Sequence, residues 1–234
     1  MNKKTLYVTQ AAVIAALYVV LVFVFQYSSF GPIQFRVAEA LTILPYFTPA
    51  AIPGVTIGCL LSNLLFSAEI LDVMFGTAAT LIAAYLSYQL RENKFLVPVP
   101  PILVNAIIIP WVLKYAYFEA DPVPFMMLTV GAGQLVSAGI LGMILLFALE
   151  KIINTLGGVE IDVKKSEIKY LHQYLDELNK LDKKSKSPYL KQAGLQTLDG
   201  KQAVAYARIR YVGNGDFERT ERQRRVLSAI FDKI

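Results

Sequence analysis

Apolar segments long enough to cross a bilayer fill the chain as far as Glu150, and a lysine- and arginine-rich segment follows them. The apolar share of 55% and the mean hydropathy of +0.47 exceed what a soluble globular protein of 234 residues carries. The chain is therefore expected to be a membrane protein with a tail of different character. Residues 1–150 hold six basic and seven acidic side chains, whereas the tail holds 17 and 11. This basic excess favours either phosphate-bearing ligands or a solvated tail that follows the positive-inside rule.

Six apolar segments precede Glu150, at residues 6–25, 37–47, 50–66, 71–90, 98–117 and 125–149. The second is short and contains Glu39 and Pro45, so it crosses the membrane only if neighbouring helices bury it. With six crossings, the pair Lys3 and Lys4, the pair Arg91 and Lys94, and the basic tail all lie on one side, which should be cytoplasmic. We therefore expect an α-helical membrane protein with both termini in the cytoplasm. With five crossings the tail would lie outside.

Ionisable and amide side chains inside these segments are costly in lipid and normally face a cavity or a partner. Arg36 and Glu39 are three residues apart, so on a helix they share a face and can neutralise each other. The other buried candidates are Asn63, Asp72, Asn105 and Gln134. A carboxylate and amides that converge from several helices suit a planar heterocycle. The alternative is that the amides only join helices and that the Arg36–Glu39 pair is structural.

Small residues also recur in the first segment, where Ala11, Ala12, Ala15 and Ala16 form two overlapping pairs spaced by four. Small residues at this spacing allow another helix to approach closely. The spacing alone does not decide whether that helix belongs to this chain or to another protein, and packing within one chain is the commoner case.

Four stretches closely resemble the QueT family of queuosine-precursor transporters, over about residues 5–151. They read FRVAEALTILPYFTPAAIPGVTIGCLLSNLL, LDVMFGTAATLIAAYLSYQLR, PPILVNAIIIPWVLKY and VGAGQLVSAGILGMILLFALEK. The resemblance implies the substrate-binding S-component of an energy-coupling factor (ECF) transporter. Such a protein is a six-helix bundle that binds a 7-deazaguanine, such as preQ0 or preQ1, and depends on a coupling transmembrane protein and two ATPases. The sequence contains no P-loop, so ATP would be used by the partners and no cofactor is expected in this chain.

The same resemblance assigns roles to the candidate residues. Arg36 and Glu39 would lie at the end of a loop that covers the pocket. A carboxylate there, Glu39 first and Asp72 second, would accept hydrogen bonds from the N1–H and 2-amino edge of the ring. Neutral hydrogen bonds would come from the three amides, and the alanines of the first helix would dock on the coupling protein. Membrane lipids are also expected to contact the protein, and no nucleic-acid partner is expected.

The tail has its own secondary-structure pattern. Alternating apolar residues predict a strand at 159–163, and leucines at helical spacing predict an amphipathic helix over 168–181. Shorter helices are predicted at 202–207 and 218–234, with a polar loop at 181–187. His172, the only histidine, has no Cys or His partner, so no metal site is expected.

The tail also resembles a family, the C-terminal part of a LytR-CpsA-Psr (LCP) domain, over residues 152–234. The resemblance rests on GGVEIDV and on AGLQTLDGKQAVAYARIRYVGNGDFERTERQRRVLSAIFDKI. That family transfers glycopolymers from a polyprenyl-pyrophosphate carrier to the cell wall, usually with a magnesium ion. It implies a pyrophosphate-binding role for Arg208, Arg210, Asp216, Arg219 and Gln223.

The family's N-terminal portion, with its metal-binding acidic residues, has no counterpart in this chain, and the family acts outside the membrane. We therefore expect domains at 1–151 and 152–234, the second a truncated α/β fragment without catalytic residues. Its origin, as a natural gene fusion, an engineered joint or a mis-joined sequence, stays open. The alternative function is a membrane-anchored LCP-type glycopolymer transferase.

Overall fold

The computed structural model describes residues 3–26, 35–67, 69–181, 185–209, 212 and 216–233. The chain folds into two compact units, Met1–Leu145 and Leu146–Ile234. The boundary between them falls inside one helix, Gly142–Thr155. Each unit buries apolar side chains of its own.

In the described residues of the first unit, all regular secondary structure is helical. Its elements are α1 (Lys3–Val24), a 3₁₀ helix (Val37–Tyr46), α2 (Ala51–Phe66), a π-helical turn (Asp72–Gly76) that leads into α3 (Thr77–Gln89), α4 (Val99–Ala116), α5 (Val123–Gln134) and a second π-helical segment (Leu135–Leu141) that leads into α6 (Gly142–Thr155). In the described part of the chain, three helical stretches are long and apolar enough to cross a membrane: Tyr7–Val24, Val99–Ala116 and Val123–Thr155. The predicted α-helical membrane protein is confirmed, and the count of six crossings stays a prediction.

The short second segment is a 3₁₀ helix of ten residues. At about 2.0 Å per residue it is roughly 20 Å long, which is less than the hydrocarbon thickness of about 30 Å. Eight of its ten residues are buried, including Glu39 and Thr42. Irregular backbone at membrane depth is tolerated where protein surrounds it, and this segment meets that condition.

Glycines allow α1 and α2 to approach closely. A Cβ atom added at Gly54 would lie 2.9 Å from Ile14 Cβ, and one added at Gly58 would lie 2.6 Å from Tyr18 Cβ. Both distances are below any ordinary contact, so only glycine fits at these positions. Gly54 and Gly58 are four residues apart and form a small-xxx-small pair, which was not among the predicted ones. Its effect is to hold Tyr18 of α1 in the core beside Cys59 and Val55 of α2.

The second unit contains the end of α6, then β1 (Val159–Val163), α7 (Lys165–Leu181), β2 (Gly194–Leu198), α8 (Gly200–Arg208) and α9 (Asp216–Phe231). The two strands pair antiparallel, with Val159 opposite Leu198 and Val163 opposite Gly194. Side chains of β1 alternate between buried and exposed, which confirms the predicted strand. The predicted helices at 168–181, 202–207 and 218–234 correspond to α7, α8 and α9, whereas β2 was not predicted.

Local chemistry fixes where α8 begins. The Asp199 side chain accepts a hydrogen bond of 2.9 Å from the Gln202 amide, and the Gln202 side chain accepts one of 2.9 Å from the Asp199 amide. This reciprocal capping box satisfies two amide groups that a helix start leaves without partners. The Asp199-Gly200 turn therefore sets the start of the helix at Gly200.

Candidate functional site

A buried ion pair joins two segments that are distant in sequence. Arg36 Nη2 lies 3.3 Å from Asp72 Oδ2, and both side chains are buried. The hydroxyl oxygens of Ser67 and Tyr117 each lie 3.2 Å from the same carboxylate oxygen. The other oxygen, Asp72 Oδ1, is buried and has no hydrogen-bond partner among the described residues. The spacing of three residues suggested that Arg36 pairs with Glu39. In the structure, Arg36 forms its ion pair with Asp72.

Glu39 is held by a different element. Tyr18 Oη of α1 donates a hydrogen bond of 2.6 Å to Glu39 Oε1. Glu39 is only 1% exposed, yet its second oxygen, Oε2, accepts nothing in the part of the chain that the structure describes. Leaving a buried acceptor without a hydrogen bond is costly, so Glu39 Oε2 can accept a hydrogen bond from a donor on a bound molecule.

Asn63 serves the backbone of the neighbouring helix. Its Nδ2 donates to the Asp72 carbonyl oxygen at 3.2 Å, at the first residue of the π-helical turn. A Cβ at Gly76 would lie 2.9 Å from the same nitrogen, so glycine at this position leaves room for the Asn63 amide. This geometry matches the alternative in which an amide joins two helices, and it fixes the turn that carries Asp72.

Asn105 and Gln134 lie along one helix interface. An added Cβ at Gly131 would lie 3.6 Å from Ala106, and one at Gly139 would lie 3.5 Å from Ile102. Asn105 directly precedes Ala106, Gln134 follows Gly131 by three residues, and the two polar side chains are 4% and 3% exposed. Asn105 Nδ2 and Gln134 Oε1 are buried without hydrogen-bond partners among the residues described.

Both π-helical segments adjoin a candidate residue. One begins at Asp72, and the other begins directly after Gln134. Such segments are rare and occur frequently at functional sites, because they redirect side chains and free backbone groups. Their positions therefore support the two candidates that they adjoin.

The structure divides the alanines of the first helix into two pairs. Ala11 and Ala15 are buried, and their carbonyl oxygens lie close to Gly54 and Gly58 of α2. Ala12 and Ala16 are exposed. The first pair therefore packs within the chain, and only the second pair is available to another helix. The loop predicted to cover the pocket falls largely on residues 27–34, which lie outside the described residues.

A cavity of about 460 Å³ lies beside the π-helical turn of the first unit. All seven lining side chains are apolar or aromatic: Leu71, Phe75, Ile107, Ile108, Trp111, Val112 and Tyr115. Trp111 and Tyr115 stack with ring centroids 6.2 Å apart. The lining suits a hydrocarbon chain rather than a heterocycle with many hydrogen-bonding groups. The better candidate site is therefore the buried polar cluster that contains Arg36, Glu39 and Asp72.

In the second unit, carboxylates engage two of the arginines. Arg208 Nη2 lies 3.2 Å from Glu177 Oε2, and its guanidinium lies 4.9 Å from the Tyr174 ring centre. Arg222, on the same helix face as the motif residues, donates to Glu167 Oε1 at 2.7 Å in a buried pair.

The structure describes the side chains of only two of the other residues of the predicted phosphate site. Arg219 and Gln223 are buried, whereas Arg210 and the Asp216 side chain lie outside the described residues. His172 contacts Tyr189, with ring centroids 4.7 Å apart. Within the described ranges, no group of three or more His, Cys, Asp or Glu side chains is arranged to hold a metal ion.

Two known families match different parts of the chain. The family model of the QueT transporter matches residues 8–151, which is more than half of the chain. The chain belongs to the QueT transporter family. Residues 142–234 match the LytR_cpsA_psr family. Both predicted resemblances are therefore confirmed, and this QueT family member carries an LCP-like fragment.

Two kinds of relatives match the two parts. The queuosine precursor transporter QueT of Lactococcus lactis subsp. cremoris (strain MG1363) is 44% identical over 94 residues, 39% of this chain and 55% of that protein. Two polyisoprenyl-teichoic acid–peptidoglycan teichoic acid transferases also match. TagT of Bacillus subtilis (strain 168) is 37% identical over 86 residues, 37% of this chain and 24% of its own length. TagU of Enterococcus faecalis (strain ATCC 700802 / V583) is 34% identical over 87 residues, which are 37% of this chain and 23% of TagU.

The chain thus spans about half the length of the transporter relative and about a quarter of the length of the transferases. No solved structure matches it.

Proposed function

We propose that this chain is the substrate-binding S-component of an ECF transporter that imports a 7-deazaguanine queuosine precursor, such as preQ0 or preQ1. The observation that carries the proposal is the set of buried polar atoms without partners in a member of the QueT transporter family. A protein interior rarely leaves such atoms without hydrogen-bond partners, and a bound ligand is one source of those partners.

Four of the unpartnered atoms match in kind the hydrogen-bonding groups along the edge of a 7-deazaguanine. They are three acceptors, Glu39 Oε2, Asp72 Oδ1 and Gln134 Oε1, and one donor, Asn105 Nδ2. The ring offers the N1–H and 2-amino groups as donors and its carbonyl oxygen as an acceptor. Each buried group left unpaired costs about 1–3 kcal/mol, so ligand binding recovers several such costs together.

Transport then requires partners. Six crossings would place both termini in the cytoplasm, where two ATPases would use ATP, and this chain would need no cofactor of its own. The exposed pair Ala12 and Ala16 is the part of the alanine stripe that remains for docking on the coupling transmembrane protein. Membrane lipids surround the bundle, and nucleic acid has no part in this function.

The tail, in this proposal, is an inactive LCP-like fragment, and magnesium would bind only a complete LCP domain. The similarity to teichoic acid transferases favours one second candidate, a membrane-anchored glycopolymer transferase. The ion pair of Arg208 argues against it, because a guanidinium bound to a carboxylate is less available to a pyrophosphate.

Uptake in a host that depends on an external queuosine precursor tests the proposal. With the coupling protein and ATPases present, the parent chain should support uptake of a 7-deazaguanine, and Glu39→Gln should weaken it. Asp121→Asn removes a carboxylate from an exposed position and serves as the matched control. Parent-level uptake by Glu39→Gln would remove Glu39 from the site. Transfer of a glycopolymer from a polyprenyl pyrophosphate by purified full-length protein would favour the second candidate.

A further inference from the structure

The apolar cavity of the first unit has an opening toward its surroundings. Most of its lining side chains lie on one face of α4, and the other two, Leu71 and Phe75, belong to the start of the π-helical turn or directly precede it. Four of the lining side chains are between 46% and 65% exposed: Phe75, Ile107, Trp111 and Tyr115. The cavity is therefore a groove on the surface of the helical bundle.

The groove lies along a helix that is long and apolar enough to cross a membrane, Val99–Ala116. It begins at Ile107, halfway along that helix, and ends at Tyr115 in the last turn, so it is about 12 Å long. Trp111 and Tyr115 stack at this end with their ring planes 11° apart. Because such aromatic side chains mark the boundary between membrane and water, the groove runs from the middle of the bilayer to the level of the headgroups.

A hydrocarbon chain fits this groove better than water does. A bound water needs about two to four polar partners, and the deep end is lined by the aliphatic side chains of Ile107, Ile108 and Val112. An empty groove would forfeit the dispersion contacts of its lining. An apolar cavity of about 150 Å³ holds the six carbons of benzene, so 460 Å³ has room for about 18 carbons. That is the size of a common acyl chain.

The charged residues that follow the groove suit a zwitterionic headgroup. Lys114, in the last turn of α4, donates to main-chain carbonyl oxygens, at 3.0 Å to that of Glu119. These neutral carbonyl groups leave its positive charge in place to attract a phosphate, whereas the carboxylates of Glu119 and Asp121 attract an ammonium group. We propose that the groove binds one acyl chain of a zwitterionic phospholipid, with the headgroup at the Tyr115 end.

This lipid site shares the π-helical turn with the buried polar cluster. Leu71 and Phe75 line the groove, whereas Asp72 lies between them in sequence, is 1% exposed and pairs with Arg36 at 3.3 Å. An acyl chain packed on Leu71 and Phe75 therefore stabilises the turn that carries Asp72. The bound lipid acts as a positioning element for the carboxylate without touching it.

The only tryptophan of the chain lies in the groove, so its fluorescence reports the occupant. The full-length chain, freed of lipid in detergent, is titrated with phosphatidylcholine brominated along one acyl chain, because bromine quenches tryptophan on contact. We expect the quenching of Trp111 to saturate near one lipid per chain and to be reversed by unbrominated phosphatidylcholine. Quenching that only grows in proportion to the added lipid would overturn the proposal. A particle of two chains with Trp111 unquenched would assign the groove to a second copy and overturn it as well.

Two variants separate the groove from the rest of the lipid-facing surface. Ile107→Phe puts a larger side chain into the groove and should weaken the lipid affinity at least about tenfold. Leu103→Phe, one turn earlier on α4 at a side chain that is 54% exposed and outside the lining, should keep the affinity of the parent. Identical titrations of the two variants would contradict the proposed site.

Amide hydrogen exchange tests the link to Asp72. Added phosphatidylcholine should slow exchange over Asp72–Gly76 at least about tenfold in the parent and in Leu103→Phe, and have little effect in Ile107→Phe. Saturable quenching with unchanged exchange in this turn would overturn the positioning role. Neither measurement uses a 7-deazaguanine, so both results are independent of the proposed function.

Discussion

Adding one methyl group at Gly58 should separate the first two helices and disturb the site at the same time. The new Cβ would lie 2.6 Å from Tyr18 Cβ and 3.1 Å from the Ala15 carbonyl oxygen. Restoring an ordinary contact of 3.4 Å requires a shift of about 0.8 Å between α1 and α2. Overpacking of this kind costs about 1–3 kcal/mol, which outweighs the gain of about 1 kcal/mol that alanine brings to a helix interior.

Gly131→Ala is the matched control, because its added Cβ meets only Ala106 at 3.6 Å. In thermal unfolding experiments in detergent, Gly58→Ala should therefore be less stable than the parent. Gly131→Ala should be as stable as the parent or more stable. Gly58→Ala should also weaken ligand binding, because the shift moves Tyr18 away from Glu39, which it contacts at 2.6 Å. Equal stabilisation by both substitutions, with unchanged ligand affinity, would refute the proposed packing.

Three further predictions concern charged groups. Asp72→Asn removes the carboxylate that pairs with Arg36 and should cost about 3–5 kcal/mol in unfolding experiments, part of which a second substitution, Arg36→Gln, should restore. Arg222→Met breaks a buried ion pair and should speed amide exchange in α7 and α9, whereas Arg224→Met, at a side chain 55% exposed, should change stability by less than about 0.5 kcal/mol. Burial acts to raise the pKa of Glu221, but hydrogen bonds from two neighbouring arginines outweigh it and lower the pKa. Its stabilising contribution is therefore present above the unfolded-state pKa and lost as the pH falls through the folded-state pKa, so Glu221→Gln should flatten the acid side of a stability–pH curve.

Periodicity predicted most of the helices and one strand, because burial imposes its own spacing on the sequence. Leu171, Leu175 and Leu178 recur at helical spacing and are all fully buried, and the alternation in β1 follows its two faces. The strand β2 escaped prediction because it lacks that signal: Leu195 is 70% exposed although it is apolar. Its conformation comes from pairing with β1, which local sequence does not encode.

The candidate site was predictable in composition but not in pairing. Burial of polar residues in apolar segments indicated Arg36, Glu39 and Asp72, yet a spacing of three residues could not reveal that the partner of Arg36 lies 36 residues away. Tyr18 was missed because a tyrosine in an apolar helix carries no charge to mark it. Gly54 and Gly58 were missed although their spacing, the same small-xxx-small signal as in the alanine stripe, was present in the sequence.

Calorimetry on the purified full-length chain in lipid nanodiscs, with preQ1 as the ligand, tests the central claim most directly. We predict saturable binding of one ligand per chain without any partner subunit, and loss of most of that affinity in Glu39→Gln. A folded protein that binds no 7-deazaguanine would contradict the claim that the buried polar cluster of this QueT family member is a receptor for these compounds.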